Sequence, residues 1–246
     1  MPVFFITADQ IQNGAVTITG PLCAHLRDSL RLQVGEKFWL GDERRQRYRV
    51  IAAHIDRKTI SGTVLEQIAG PIPAHPPLIL GQTLLKGDRM DWIIQKATEL
   101  GVASIIPLVT AHAIVRPRSD RQTPQQSRWQ KIALEASQQA ERWEVSLLLP
   151  PCNPQSFFES QVSAALKLIL CERAAGQSLA TVPLPSEAGN HIVLAVGPEG
   201  GWKKEEIEQA VAYGFTPVTL GQLILRAETA ALAALSVIQS RLGELG

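Results

Sequence analysis

The chain has 246 residues, of which 45% are apolar and 19% charged, with a formal net charge of +1. That length suits a small domain joined to a medium one, and the near-neutral balance excludes a uniformly basic nucleic-acid-binding module. No apolar run approaches the roughly 18 residues of a membrane helix, and Met1 to Ile6 lacks the basic start of a secretory leader; a cytoplasmic protein is expected.

The first seventy or so residues read as short strands at Val3 to Ile6, Ala15 to Ile18, Lys37 to Leu40, Tyr48 to Ile55 and Ile60 to Glu66, separated by polar or glycine turns. Such spacing predicts a small β-barrel, interrupted by one helical pattern from His25 to Leu32. Residues 1–72 hold nine Lys/Arg against seven Asp/Glu, so this part is not basic as a block. Arg44, Arg45, Arg47 and Arg49 nevertheless crowd one hairpin, and a local basic patch is all that phosphate contact requires. Ile68 to Pro77 then carries four prolines, too rigid and donor-poor for a helix or a central strand, and the domain boundary is placed there: 1–72, then 73–246.

Beyond it, apolar runs alternate with helical patterns, as a parallel sheet covered by helices demands. The runs are Leu78 to Leu85, Ser104 to Val109, Leu166 to Cys171, His191 to Val196 and Thr216 to Leu220. Met90, Ile93, Ile94, Ala97 and Leu100 recur at helical spacing before Gly101, and Trp129, Ile132, Ala133, Ala136, Ala140 and Trp143 do the same. Arg128, Glu135, Gln139 and Arg142 share the opposite stripe of that second helix, suited to a surface or a partner. Residues 112–131 add Arg116, Arg118, Arg121, Arg128 and Lys131 against Asp120 alone. Further helices are expected over Lys203 to Tyr213 and Thr229 to Leu242.

Two loops carry the chemistry. Val196-Gly197-Pro198-Glu199-Gly200-Gly201-Trp202 and Leu220-Gly221-Gln222-Leu223-Ile224-Leu225-Arg226-Ala227-Glu228 each join a strand end to a helix start. Ligands of open α/β sheets sit at such strand ends, where glycine lets the backbone approach and the first helical N–H groups are free to donate. Neither GxGxxG nor GxxxxGK[ST] occurs, so nicotinamide and ATP-hydrolase readings lose their support. Cys23, Cys152 and Cys171 form no CxxC pair, and His25, His54, His75, His112 and His191 show no ligand spacing; neither a disulfide framework nor a metal site is expected.

The two loops, the string Lys86-Gly87-Asp88-Arg89-Met90-Asp91-Trp92 with its continuation to Gly101, and Glu135-Ala136, Gln139 and Arg142 together resemble the SPOUT class of RNA methyltransferases. The resemblance is greatest to the RsmE family, which methylates N3 of a uridine in bacterial small-subunit ribosomal RNA; only Pro150 to Leu166 lacks a counterpart. It implies an α/β fold: an N-terminal PUA-like β-barrel that grips RNA, and a C-terminal SPOUT domain with a mainly parallel, trefoil-knotted sheet. It also implies a homodimer acting on 16S rRNA of the small ribosomal subunit, with no membrane and no metal.

By the same resemblance, S-adenosylmethionine is held by Leu170, Cys171, Glu172, Val196, Gly197, Gly200, Gly201, Leu220, Gly221, Ile224, Leu225 and Ala230. Arg226 and Glu228 are the candidate catalytic pair. A guanidinium can stabilise the charge that spreads onto the uracil carbonyls, or it can pair Glu228 or Glu199 to fix the loop. Glu228 either accepts the N3 proton or organises the loop, and the base stays open. Arg27, Arg31, Lys86 and Arg89 are candidate RNA contacts; the cations at 86 and 89 open a helix, where they are unfavourable unless an anion lies nearby.

Three positions depart from the family pattern. Lys203 replaces the usual Ser or Thr helix cap, leaving Glu206 without its partner, while Leu223 and Ala227 stand where an arginine and a threonine are usual. Two alternatives remain: a SPOUT enzyme acting on a transfer-RNA ribose 2′-hydroxyl, and a non-catalytic RNA-binding or assembly factor on the same fold.

Overall fold

Alternation of Val16 with Ile18, Phe38 with Leu40, and Tyr48 with Val50 and Ala52 forces strands with one buried face. In the computed structural model, which describes residues 2–113, 122–172, 177–185 and 189–245, they belong to a six-stranded sheet. Its strands are β1 (Val3–Phe5), β2 (Ile11–Gln12), β3 (Ala15–Thr19), β4 (Lys37–Gly41), β5 (Gln46–Ile55) and β6 (Thr59–Ala69), in the order β1-β4-β5-β6-β3-β2. β1 lies parallel to β4; the other pairs are antiparallel.

One apolar cluster draws Phe4 from β1, Val16 and Ile18 from β3, Phe38 and Leu40 from β4, Val50 from β5 and Ile60 from β6. Strands distant in the sheet order share one core, so the sheet curls as a barrel does, helped by register shifts that bend β5 at Arg49/Val50 and Ala52/His54. Asp42, fully buried, pins the β4–β5 hairpin. It accepts the N–H groups of Arg44 and Gln46, each at 2.9 Å, and the Tyr48 hydroxyl at 2.9 Å. Burial and that bond push the Tyr48 hydroxyl up to about 12.

The helical pattern of His25 to Leu32 is displaced. A short helix, α1 (Gly20–Ala24), leads into a wider π-type turn at His25–Ser29. Arg31 then takes a left-handed φ of 55°, which ends any helix.

The second sheet comprises β7 (Leu78–Thr83), β8 (Ser104–Leu108), β9 (Leu147–Leu148), β10 (Leu166–Leu170), β11 (Gln177–Ser178), β12 (Ile192–Val196) and β13 (Thr216–Thr219). Their order is β11-β13-β10-β12-β7-β8-β9, and every pairing is parallel. The helices are α2 (Arg89–Glu99), α3 (Gln122–Gln139), α4 (Pro154–Ser160), α5 (Lys204–Ala212) and α6 (Ala227–Leu242).

Both faces of this sheet are covered, which is why its strands are apolar without alternation. Leu78, Leu80, Ile192 and Leu194 pack with α2, α3 and α6, while Val193, Ala195 and Ile169 pack with Phe157 and Phe158 of α4 and Ala210 of α5. α4 falls in the stretch without a family counterpart. A local signal for it exists: Asn153 accepts the Ser156 N–H at 2.8 Å, and Pro154 occupies the first helical position.

The chain divides into two compact units, Met1–Ile72 with Ser137–Val145, and Pro73–Ala136 with Ser146–Gly246. The switch from the first long segment to the second falls at the proline-rich stretch. The excursion at Ser137–Val145, which takes in the last turn of α3, has no counterpart in the 1–72 and 73–246 division, and α3 stops at Gln139 rather than running on to Trp143. Within the first unit, the Arg47 guanidinium lies 3.8 Å over the Trp143 ring and donates to the Glu141 carbonyl, and Arg45 pairs with Glu144 at 2.9 Å. The other two hairpin arginines have looser partners, Arg44 at 4.0 Å from Glu43 and Arg49 at 3.9 Å from Glu66. Arg116, Arg118, Asp120 and Arg121 lie outside the described residues.

Candidate active site

Parallel pairing puts the carboxyl ends of the neighbouring strands β13, β10 and β12 on one edge, and the loops that follow them enclose a cavity of about 420 Å³. Leu170, Cys171 and Glu172 come from the end of β10, Val196, Gly197, Gly200 and Gly201 from the loop after β12, and Leu220, Gly221, Ile224 and Leu225 from the loop after β13. Ala230 of α6 completes the set, so the twelve residues expected to hold a cofactor surround one space.

The wall is mostly backbone and apolar side chain, as suits a flat, uncharged heterocycle rather than a phosphate. A Cβ on Gly197 would stand 2.8 Å from Trp202 Nε1, so the close approach of chain and ring there requires glycine. Gly221 has a φ of +121°, which L side chains rarely adopt. Burial pushes the Cys171 thiol up to about 11, making it a neutral wall rather than a nucleophile.

Sequence reasoning omitted Pro198, Trp202, Ile207, Leu223 and Ala227, which also line the cavity. Trp202 had a signal, since it ends the glycine motif. Its indole N–H donates to the Leu170 carbonyl at 3.1 Å and so ties the glycine loop to the end of β10. Leu223 and Ala227, two departures from the family pattern, both face this space.

Glu206 does more than cap. Lys203 has no acceptor to offer, so only half of a capping box forms: one Glu206 oxygen accepts the Lys203 N–H at 2.9 Å. The other accepts the Ala111 N–H at 3.0 Å, and His112 Nδ1 lies 3.1 Å from the Gly201 carbonyl. The residues after β8 thus support the glycine loop in place of the missing Ser or Thr.

The expected catalytic pair separates. Arg226 is the N-cap of α6, exposed, with an extended backbone at φ −64° and ψ 151°; among the described residues it has no ion-pair partner. It sits between the lining residues Leu225 and Ala227. Glu228 is 9% exposed and is not among the residues that line the cavity. Its ion-pair partner is Arg89, whose Nη1 stands 3.8 Å from Glu228 Oε2 and also binds the Glu199 carboxylate. The loop-fixing pairing that Arg226 could have made is made by Arg89.

The expected RNA contacts are likewise sorted. Arg27 forms a two-pronged pair with Asp28, both bonds at 2.6 Å, and donates to the Arg57 carbonyl; the Asp28 bond holds its guanidinium above its usual range. Arg31 in the first unit and Lys86 in the second are exposed, with no ion pair among the described residues. Arg128 is paired with Asp91, which also accepts the Trp129 indole N–H at 2.9 Å. Among the described residues no cluster of three His, Cys, Asp or Glu could hold a metal, and no helix is long and apolar enough to cross a membrane.

Residues 73–239 match the family of RNA methyltransferase domains. A curated relative from Synechocystis, named ribosomal RNA small subunit methyltransferase E, is 34% identical over 240 residues, covering 96% of this chain and 77% of its own. A Bacillus subtilis protein of the same name is 27% identical over 238 residues, covering 95% and 93%. Among solved structures, a Legionella pneumophila methyltransferase with its cofactor SAM bound superposes at a TM-score of 0.88, with 28% identity and 97% of both chains covered. The ribosomal RNA small subunit methyltransferase E of Neisseria gonorrhoeae, bound to S-adenosyl methionine, superposes at 0.83 with 31% identity and 98% of both chains. With the profile covering its second unit and full-length relatives covering both, this chain belongs to the ribosomal RNA small subunit methyltransferase E family of RNA methyltransferases.

Proposed function

We propose that the protein is an S-adenosylmethionine-dependent methyltransferase acting on N3 of a uridine in 16S rRNA of the small ribosomal subunit. The observation that carries this reading is the convergence of three strand-end loops on one cavity walled by backbone and apolar groups, beside which stands Arg226, unpaired among the described residues. The residues fit the cofactor: glycine at Gly197 and Gly221 leaves room for close backbone contact, and Leu220, Ile224 and Leu225 can enclose a planar base. Main-chain groups of the three loops would hold it, with Glu172 placed to accept from sugar hydroxyls. When bound, it supplies an electrophilic methyl group.

The chain's own residues do the rest by positioning and electrostatics. Arg226 donates to a uracil carbonyl oxygen beside N3, leaving the in-plane path to N3 open, and stabilises the anion left when the N3 proton passes to solvent. That stabilisation lowers the proton affinity of N3, so a weak acceptor suffices. Glu228, buried against Arg89, fits the loop-organising role. In the first unit, Arg31 is offered to RNA phosphate by the PUA-like barrel, and Lys86 is offered by the methyl-transfer domain. Leu223 and Ile224, 82% and 58% exposed at the cavity edge, are suited to be covered by a second copy in a homodimer. The setting is the cytoplasm, where ribosomal subunits are.

The test is Arg226→Ala. Turnover on small subunits is expected to fall by more than about tenfold, with the dissociation constant for S-adenosylmethionine changed less than about threefold. Near-normal turnover would remove Arg226 from its role. Nucleoside mass spectrometry of rRNA from a deletion strain should show loss of 3-methyluridine; its persistence would defeat the assignment of the product.

A further inference from the structure

Arg89 opens α2, and a cation at a helix start works against the helix dipole unless an anion lies close by. The anions are internal. Its Nε donates to the Lys86 carbonyl at 3.2 Å, which aims the guanidinium, and its Nη1 reaches Glu199 and, at 3.8 Å, Glu228. Glu199 lies between Pro198 and Gly200, and Glu228 lies among Ala227 and Ala230, so both carboxylates hang from backbone that walls the cavity. Glu228 Oε2 is buried with no hydrogen-bond donor among the described residues, leaving Arg89 as the nearby compensating charge, supplemented by the start of α6.

A second contact from the same corner supports the loop. Thr83, fully buried at the end of β7, donates its hydroxyl to the Val196 carbonyl at 3.0 Å. The β7–α2 corner therefore grips the glycine loop at Val196 and Glu199 and the first turn of α6 at Glu228, and it does so from outside the space the cofactor would fill.

Resting on the methyltransferase reading above, we propose that Arg89 is a positioning residue of that site. It holds the glycine loop and the first turn of α6 at the separation that cofactor binding needs, and it is not a contact to RNA phosphate. Removing it leaves two carboxylates facing each other with no cation between them, and the two walls part.

The probe is S-adenosylhomocysteine, titrated by calorimetry into the full chain. Arg89→Gln is expected to weaken binding about tenfold, Arg89→Lys to recover part of it, and Arg89→Gln combined with Glu228→Gln to return within about threefold of the unaltered protein, since the two carboxylates no longer repel and only the more exposed Glu199 stays charged. Independently of any cofactor, amide hydrogen exchange at Gly197 to Trp202 should quicken by a similar factor in Arg89→Gln. The dependence of RNA affinity on salt should keep its slope; a fall by about 0.9, the signature of one lost phosphate contact, would overturn the proposal. Unchanged binding and unchanged exchange would overturn it equally. Were Arg89→Gln unable to fold, Glu199→Gln opens the same brace from its more exposed side, with about threefold weaker binding expected. An unaltered protein that bound no S-adenosylhomocysteine would sink the methyltransferase reading instead, while the exchange comparison would still decide the brace.

Discussion

The cavity at the strand ends and the arginines spread over both units answer differently to the same kind of reasoning. The twelve residues that the resemblance assigns to a cofactor surround one cavity, an arrangement that backbone rules favour: parallel strands end on one edge, glycines open the loops, helices begin beyond them. Of the arginines expected to face RNA, Arg27 and Arg89 instead serve neighbouring carboxylates, as do Arg45 and Arg128 among the clustered cations. A long flexible side chain chooses its partner through tertiary structure, and the local sequence says only that it is charged.

Breaking the backbone side of this contrast should have the largest effect. Gly197→Val places its Cβ against an indole already tied to Leu170, so either the ring or the loop must move. Affinity for S-adenosylmethionine is expected to fall roughly a hundredfold, in line with about 1–3 kcal/mol of overpacking, while the thermal transition stays cooperative. Binding within about threefold of the unaltered protein would show that the loop is softer than its contacts indicate.

The side-chain half is sharpened by pairing Arg31→Ala with Arg27→Ala. Removal of Arg31 should lower affinity for rRNA about fivefold and reduce the salt slope by about 0.9. Removal of Arg27 should leave RNA affinity within about twofold and shift the melting midpoint by a degree or two, the scale of an exposed ion pair. Equal RNA effects from both would erase the distinction between a free and a committed arginine.

The smallest effect expected concerns His191. Its ring contacts Gln161 at 3.1 Å, and burial, with Lys167 nearby, lowers its proton affinity. The folded chain therefore keeps it neutral while the unfolded chain takes up a proton, so its contribution to stability is complete above the ordinary histidine range and declines as the pH falls below it. Melting midpoints at about pH 7.5 and about pH 5.5 should differ less in His191→Gln than in the unaltered protein; an identical pH dependence would show that the ring titrates freely when folded.

The fold was legible wherever one rule sufficed. Runs such as Ile192 to Val196, alternating with helical patterns, point to strands covered on both faces, and the three- and four-residue spacing of Met90 to Leu100 points to a helix with one buried stripe. Elements that depend on few residues were not: α4 rests on the Asn153-Pro154 start, and beyond the end of α3 at Gln139 Trp143 stacks on Arg47, 96 positions earlier in the chain. In the site, Glu206 illustrates the same limit. Its role at the start of α5 could be read from spacing, but its second partner, Ala111, lies 95 positions away.

The strand order sets a schedule for synthesis. β7 gains its second neighbour, β12, through the pairing of Leu78 with Ile192, and the three strands whose ends wall the cavity all lie beyond Leu166. A nascent chain therefore carries β7 and β8 as a parallel pair with an open edge until β12 is made, and a binding space exists only after α6 has left the ribosome and docked. An enzyme proposed to modify ribosomes thus becomes competent for its cofactor only after the ribosome making it has released α6.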